Sequence, residues 1–306
     1  PSRKSRDQGD GTRMTMQAVL GFDMETDIGS FTPYYEGLVH GTPVILDILA
    51  RHGVTATFFF TGDAARKHPQ LARRVAEAGY EIGSHSLFHE TVGDPLFDIP
   101  GITPLLPEEV ELRLLRATQW VEEAVGIRPV SFRAPRLFGS TAMVNALEAL
   151  SYVADASYPM YYYRDRLRPY HPSCEDWTQE GRMSIVELPN FADLSMTSHD
   201  PYRRDLDQWP LFRTEGTEAL LQHIDNYAGY CTDRDVEPFL CFYLHPWEFH
   251  PMPTGPIHFG EATVLPDPFI VRNCGPYAVE QLDALLGALL ARGTRFLQAR
   301  DTARLL

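Results

Sequence analysis

The sequence predicts an α/β protein in which a parallel sheet is wrapped by helices, with a barrel preferred over an open, doubly wound sheet. Three observations carry this. Short apolar runs alternate with longer helix-period stretches about seven times along the chain. No linker, internal repeat or low-complexity tract divides residues 16–306, which read as one domain behind an irregular extension, 1–15. Reactive side chains recur just past the end of one apolar run after another, where barrels and open parallel sheets assemble their sites.

The elements follow in order. Gln17–Phe22 is a buried strand that runs into the acidic cluster Asp23-Met24-Glu25-Thr26-Asp27. Thr42–Arg51 has helical spacing and stops at His52-Gly53. Ala56–Phe60 is a second strand, Asp63–Ala78 a helix closed by Gly79, and Tyr80–Gly83 a third strand leading into His85 and His89. Glu108–Val125 is an amphipathic helix with acids in its first turn and Gly126 after its last. Val130–Phe132 is a strand that ends at Arg133-Ala134-Pro135. Thr141–Leu150 is helical, Tyr152–Ala154 a strand ending at Asp155, and Ser184–Leu188 another strand. The helix Glu215–Tyr227 precedes the strand Phe239–Leu244, which ends at His245-Pro246-Trp247. Ala278–Ala291 is helical, Thr294–Leu297 a last strand and Ala299–Leu306 a last helix. Four loop insertions, 94–106, 159–182, 190–214 and 249–275, fall beside the strand ends.

Composition narrows the function. Lys plus Arg is 27 against 41 Asp plus Glu, a formal charge of −14. That argues against nucleic acid and anionic membranes as partners, because both need a basic face. No run approaches the ~20 apolar residues of a membrane span, and Pro1–Thr15 has no hydrophobic signal core, so the expected location is cytoplasmic. Cys174, Cys231, Cys241 and Cys274 lie far apart with no CxxC pair, which reads as packing in a reducing compartment.

The strand-end residues suggest a metal-assisted hydrolase. His85 and His89 stand at i and i+4, a spacing that lets two imidazoles on one side of a helical turn grip one cation. In Asp23-Met24-Glu25 the two acids point the same way on extended chain, so one can bind metal while the other takes a proton. Arg133 can orient a carboxylate with its planar fork, and Asp155 can accept the N–H of a histidine. His245, after five apolar residues, is placed to protonate a leaving group. The aromatic loop residues Tyr161, Tyr162, Tyr163 and Trp177 could stack on sugar faces, pack their own loop or serve a subunit contact, leaving a homo-oligomer open.

These residues, in this order, resemble the polysaccharide deacetylases of the NodB-homology group (carbohydrate esterase family 4). Phe22-Asp23 is similar to the first motif of that family, His85-Ser86-Leu87-Phe88-His89 to its H-(S/T)-x-x-H metal motif and Arg133-Ala134-Pro135 to its Arg-x-Pro motif. Asp155 lies in a segment similar to the fourth motif, and Leu244-His245 approximates the last. The resemblance implies a distorted (β/α) barrel and metal-dependent hydrolysis of a non-peptide C–N bond, typically the N-acetyl group of an amino sugar. It implies a divalent metal, zinc first, with Co, Mn, Ni or Fe as alternatives. Mapped here, Glu25, His85 and His89 would be ligands, Asp23 the base held by Arg133, and His245 the acid supported by Asp155. Pro135, Arg136 and Trp247 would touch substrate. The sequence departs from the pattern in two places. Met24 stands where a second Asp is usual, which resembles the allantoinase- and cyclic-imidase-like branch and its small amide or imide substrates. The alternative mapping makes Asp23 the ligand and Glu25 or Asp27 the base. Arg136 stands where Tyr often follows the Arg-x-Pro motif. A catalytically inactive, sugar-binding relative is the remaining reading.

Overall fold

The computed structural model describes residues 16–306, so the extension 1–15 lies outside the described residues. Eight strands form one wholly parallel sheet. They are β1 (Gln17–Met24), β2 (Thr57–Phe60), β3 (Glu81–Ser84), β4 (Ser131–Phe132), β5 (Ala154–Asp155), β6 (Val186–Glu187), β7 (Phe239–Leu244) and, after a small hairpin of β8 (Ile257–Phe259) and β9 (Ala262–Val264), β10 (Arg295–Leu297). The order runs from β1 through β6 around a curl, and β7 returns to pair with the other side of β1. β10 pairs only with the first residues of β1. The ring is left open between β6 and β7. There Phe191 N–H donates to Cys241 O at 2.9 Å across the seam. This is the expected distorted barrel.

The strand period of two sorts each side chain inward or outward. On β1, Ala18, Leu20, Phe22 and Met24 join the large apolar layer beneath the helices. Val19 instead joins Phe59, Ala154, Val186, Leu188 and Cys241 in a second, separate layer. Gly21 follows on that same face. A Cβ there would lie 2.1 Å from Arg133 Nη1, so only glycine leaves room for the guanidinium. Met24 is therefore a core residue, and the missing second Asp belongs to the face turned away from Arg133.

Two helices differ from expectation. The first begins six residues early, as Glu36–His52, with Pro43 inside it. Asp27 supplies its start, accepting the N–H groups of Glu36 and Gly37 at 3.0 and 2.9 Å. The stretch Asp63–Ala78 is two helices, Gly62–Lys67 and Pro69–Glu77. Pro69 has no N–H to continue the first and is pre-set for N1 of the second. No described helix is long and apolar enough to cross a membrane.

Candidate metal and catalytic site

The site is built on the strand ends at one mouth of the barrel. Glu25, one residue past β1, is buried, as are His85 and His89 after β3. His89 Nε2 lies 2.5 Å and His85 Nε2 3.5 Å from Glu25 Oε2. His85 Nδ1 is 2.8 Å from Arg133 O; donating there fixes the tautomer and leaves the lone pair of Nε2 facing Glu25. The two histidines do not ride on a helical turn. Ser86 and His89 have φ of 66° and 64°, and Glu90 holds the loop by accepting the N–H groups of Leu87 and Phe88 at 3.3 and 2.5 Å.

These three side chains fit a divalent cation. Their ligand atoms all lie within 4.8 Å of one another. Both carboxylate oxygens of Glu25 and Nδ1 of His89 are buried with no hydrogen-bond partner, an arrangement that is costly without a counter-ion. Burial pushes the Glu25 carboxyl up, but the facing His89 and His85 outweigh it and hold it well below its usual range. Burial draws His89 down towards the neutral form that ligates.

Asp23, at the end of β1, accepts from Arg133 Nη1 at 2.9 Å through Oδ1. Arg133 is fully buried, gives Nε to Ala156 O at 3.1 Å and Nη2 to Phe242 O at 3.2 Å, and stacks on Phe59 at 4.5 Å. His245 Nε2 stands 4.0 Å from Asp23 Oδ2 and 3.9 Å from Glu25 Oε1. Burial lowers the proton affinity of His245, but Glu248, Glu25 and Asp23 raise it further, and the net shift is upward. Asp27 is engaged at its helix start, each oxygen accepting one backbone N–H.

The expected partner of His245 is corrected. Asp155 makes no contact with it. Asp155 Oδ1 accepts Ser157 Oγ at 2.5 Å, and Ser157 in turn accepts Ala134 N–H at 2.8 Å, so Asp155 buttresses the turn after β4. Glu248, fully buried, takes that place. Its Oε1 accepts the N–H of His245 at 2.9 Å and lies 3.0 Å from its Nδ1. Trp209 Nε1 donates to the same oxygen at 2.9 Å, and Arg213 Nε to Oε2 at 2.6 Å. Glu248 was findable in sequence as an acid three residues past His245 in a Pro-initiated turn. Trp209 and Arg213 come from the 190–214 insertion and carry no such signal.

A cleft of about 1000 Å³ opens over these groups. Its lining includes Asp23, Glu25, His85, His89, Arg136 and His245, with Phe97, Tyr161, Trp209, Trp247 and Leu265 from the surrounding loops. Pro135 starts the turn that carries Arg136 and does not itself reach the cleft. Trp247 is buried and stacks on His245 at 5.2 Å.

Comparison with known proteins agrees with this architecture. The polysaccharide deacetylase family model matches residues 19–154. The chain is 32% identical over 150 residues to a chitooligosaccharide deacetylase of Rhizobium leguminosarum bv. trifolii, 48% of this chain and 58% of that protein. It is 35% identical over 94 residues to the peptidoglycan-N-acetylglucosamine deacetylase PgdA of Listeria monocytogenes, 31% of this chain and 18% of that protein. The matches thus span between about a fifth and three-fifths of those relatives. Among solved structures, the fold is similar to that of the PuuE allantoinase, with a TM-score of 0.62, 15% identity and coverage of 96% of this chain and 91% of that one. It is also similar to a Bacillus anthracis pseudoenzyme of the CE4 family, with a TM-score of 0.52, 15% identity and coverage of 95% and 66%.

Proposed function

From a chain whose residues 19–154 carry the polysaccharide deacetylase pattern, we propose a metal-dependent hydrolase that removes an N-acetyl group from an amino sugar. The observation that carries this reading is the buried Glu25–His85–His89 cluster with unpartnered donor atoms, set beside Asp23 and His245. Glu25, His85 and His89 would hold the cation, zinc by their donor set, and Co, Mn, Ni or Fe by the same geometry. When bound, such an ion supplies Lewis-acid polarisation of the amide carbonyl and acidifies water.

The remaining chemistry belongs to the chain. Arg133 fixes one oxygen of Asp23 and leaves Oδ2 to take the proton of the attacking water. The backbone N–H of Arg136 is available to the developing oxyanion, since the turn bonds around it are made by Leu137 and Phe138. His245, with Nδ1 held by Glu248, presents Nε2 to the departing nitrogen, and the surrounding carboxylates favour its protonated form. Pro135 sets the turn, and Trp247 braces the imidazole and forms part of the cleft wall.

A second reading, hydrolysis of a small cyclic amide or imide, is favoured by the acid at position 25 and by the loops that wall the cleft. One experiment separates the two. The protein is given Zn²⁺ or Co²⁺ and offered an N-acetylglucosamine oligomer, followed by acetate, and allantoin, followed by ring opening. Acetate release that His245→Ala reduces by about 10²–10⁴-fold establishes the first reading; ring opening alone establishes the second. The His85→Ala/His89→Ala double variant should emerge from dialysis without metal. Unchanged metal content would refute the ligand set.

A further inference from the structure

We propose that Arg136 is an anion-binding residue that selects substrates bearing a carboxylate beside the scissile amide. This rests on the hydrolase reading and refines its substrate class. Among the described residues, the two fully buried arginines are saturated. Arg133 reaches Asp23, two backbone carbonyls and Cys241, and Arg213 reaches Glu248 and the carbonyls of Ile270 and Arg272. Arg136 is different. It is half-buried, its one hydrogen bond is a long 3.4 Å contact from Nη1 to His89 O, and no carboxylate pairs with it. A guanidinium carries five N–H donors, so the rest of its capacity opens onto the cleft it lines.

The neighbouring charges are already matched. Asp23 is taken by Arg133. Glu25 attracts Arg136 through space but forms no hydrogen bond with it, and its two free oxygens face the histidines as a cation ligand. Further out, Asp205 accepts from Ser198 at 2.6 Å, and Asp207 accepts from Tyr243 and from Trp209 N–H at 3.2 Å. That leaves Arg136 as the half-buried guanidinium beside the reacting centre, in a protein whose formal charge is −14; Arg204, further out on the cleft wall, is exposed and stacks on Phe97 at 4.7 Å. Its place is fixed. The turn Pro135–Leu137 holds Arg136 at φ 60°, and its guanidinium lies 5.9 Å from the Phe31 ring. A planar fork in this position matches a carboxylate in two-point geometry.

The test compares N-acetylglucosamine with N-acetylmuramic acid, which differ only in a hydroxyl or an O-lactyl carboxylate at C3, the carbon next to the one that carries the amide. Binding is measured by calorimetry on the metal-free protein, and kcat/KM for acetate release on the zinc-loaded protein. The acidic sugar should bind about tenfold more tightly or better. Arg136→Met should remove the difference, and Arg136→Lys should restore part of it with the fold intact by circular dichroism. Equal affinities, a preference that survives in R136M, or no measurable binding of the acidic sugar overturns the proposal. An Arg136-dependent binding preference without acetate release from either sugar keeps the anion site and sinks the deacetylase reading. Equal acetate release from both sugars does the reverse.

Discussion

Asp155 and Glu187 are both wholly buried, and one oxygen of each, Oδ2 and Oε2, has no other hydrogen-bond partner. Burial pushes Asp155 up to about 6, and burial together with Asp155 pushes Glu187 well above its usual range. A single proton held between them satisfies both orphaned oxygens. The stability this proton contributes is fully present below the unfolded carboxyl range and is lost as pH rises through the raised folded values. Glu187→Gln supplies a permanent N–H to Asp155 and keeps an oxygen for the Ser157 and Tyr158 N–H groups, now 2.9 and 2.7 Å from Glu187 Oε1. In urea titrations its stability relative to the wild type should therefore climb from pH 5 to pH 9. A constant offset across that range would contradict the shared proton.

At the scale of elements, the loop bearing His245 is held by a helix. The helix Glu36–His52 lies so close to it that a Cβ on Gly41 would come within 2.0 Å of Pro246 O, and one on Gly37 within 2.2 Å of Trp247 Cα. Gly41→Ala gains up to about 1 kcal/mol of helix propensity, but backbone cannot yield as a side-chain tip does, and overpacking costs about 1–3 kcal/mol. We expect net loss of stability by denaturation and a fall in kcat larger than the change in KM, since the histidine moves with its loop. The same contact explains what could be read from sequence. Asp23, Glu25, His85, His89, Arg133 and His245 were legible because each follows a short apolar strand. The first turns of this helix were not, because Gly37 and Gly41 serve the approach to Pro246 and Trp247 rather than helix propensity, and Pro43 breaks the helical signal. Nor was the partner of His245 legible beyond Glu248, for Arg213 and Trp209 meet it only through tertiary packing.

Across the whole molecule, order is concentrated in the strands nearest β1. β1, β2 and β7 are almost wholly buried and paired along their length, whereas the β8–β9 hairpin is mostly exposed and pairs only with itself. Amide exchange should be slowest in Gln17–Met24, Thr57–Phe60 and Phe239–Leu244 and fastest around Ile257–Val264 and residues 94–106. Equal protection of the hairpin and β1 would argue against this gradient.

The seam between β6 and β7 has a further consequence. The groups proposed to hold a cation and to deprotonate water stand on β1 and the loops after β3 and β4. The proposed proton donor and its retinue of Glu248, Trp209 and Arg213 come from the loop after β7, the strand that borders the seam, and from the insertion between β6 and β7. The two sets meet through the β1–β7 pairing, six residues long. The insertion that supports the proposed acid can therefore change while the proposed cation ligands keep their places. On the proposed reading, ion binding and leaving-group protonation are thus separately variable traits of one barrel.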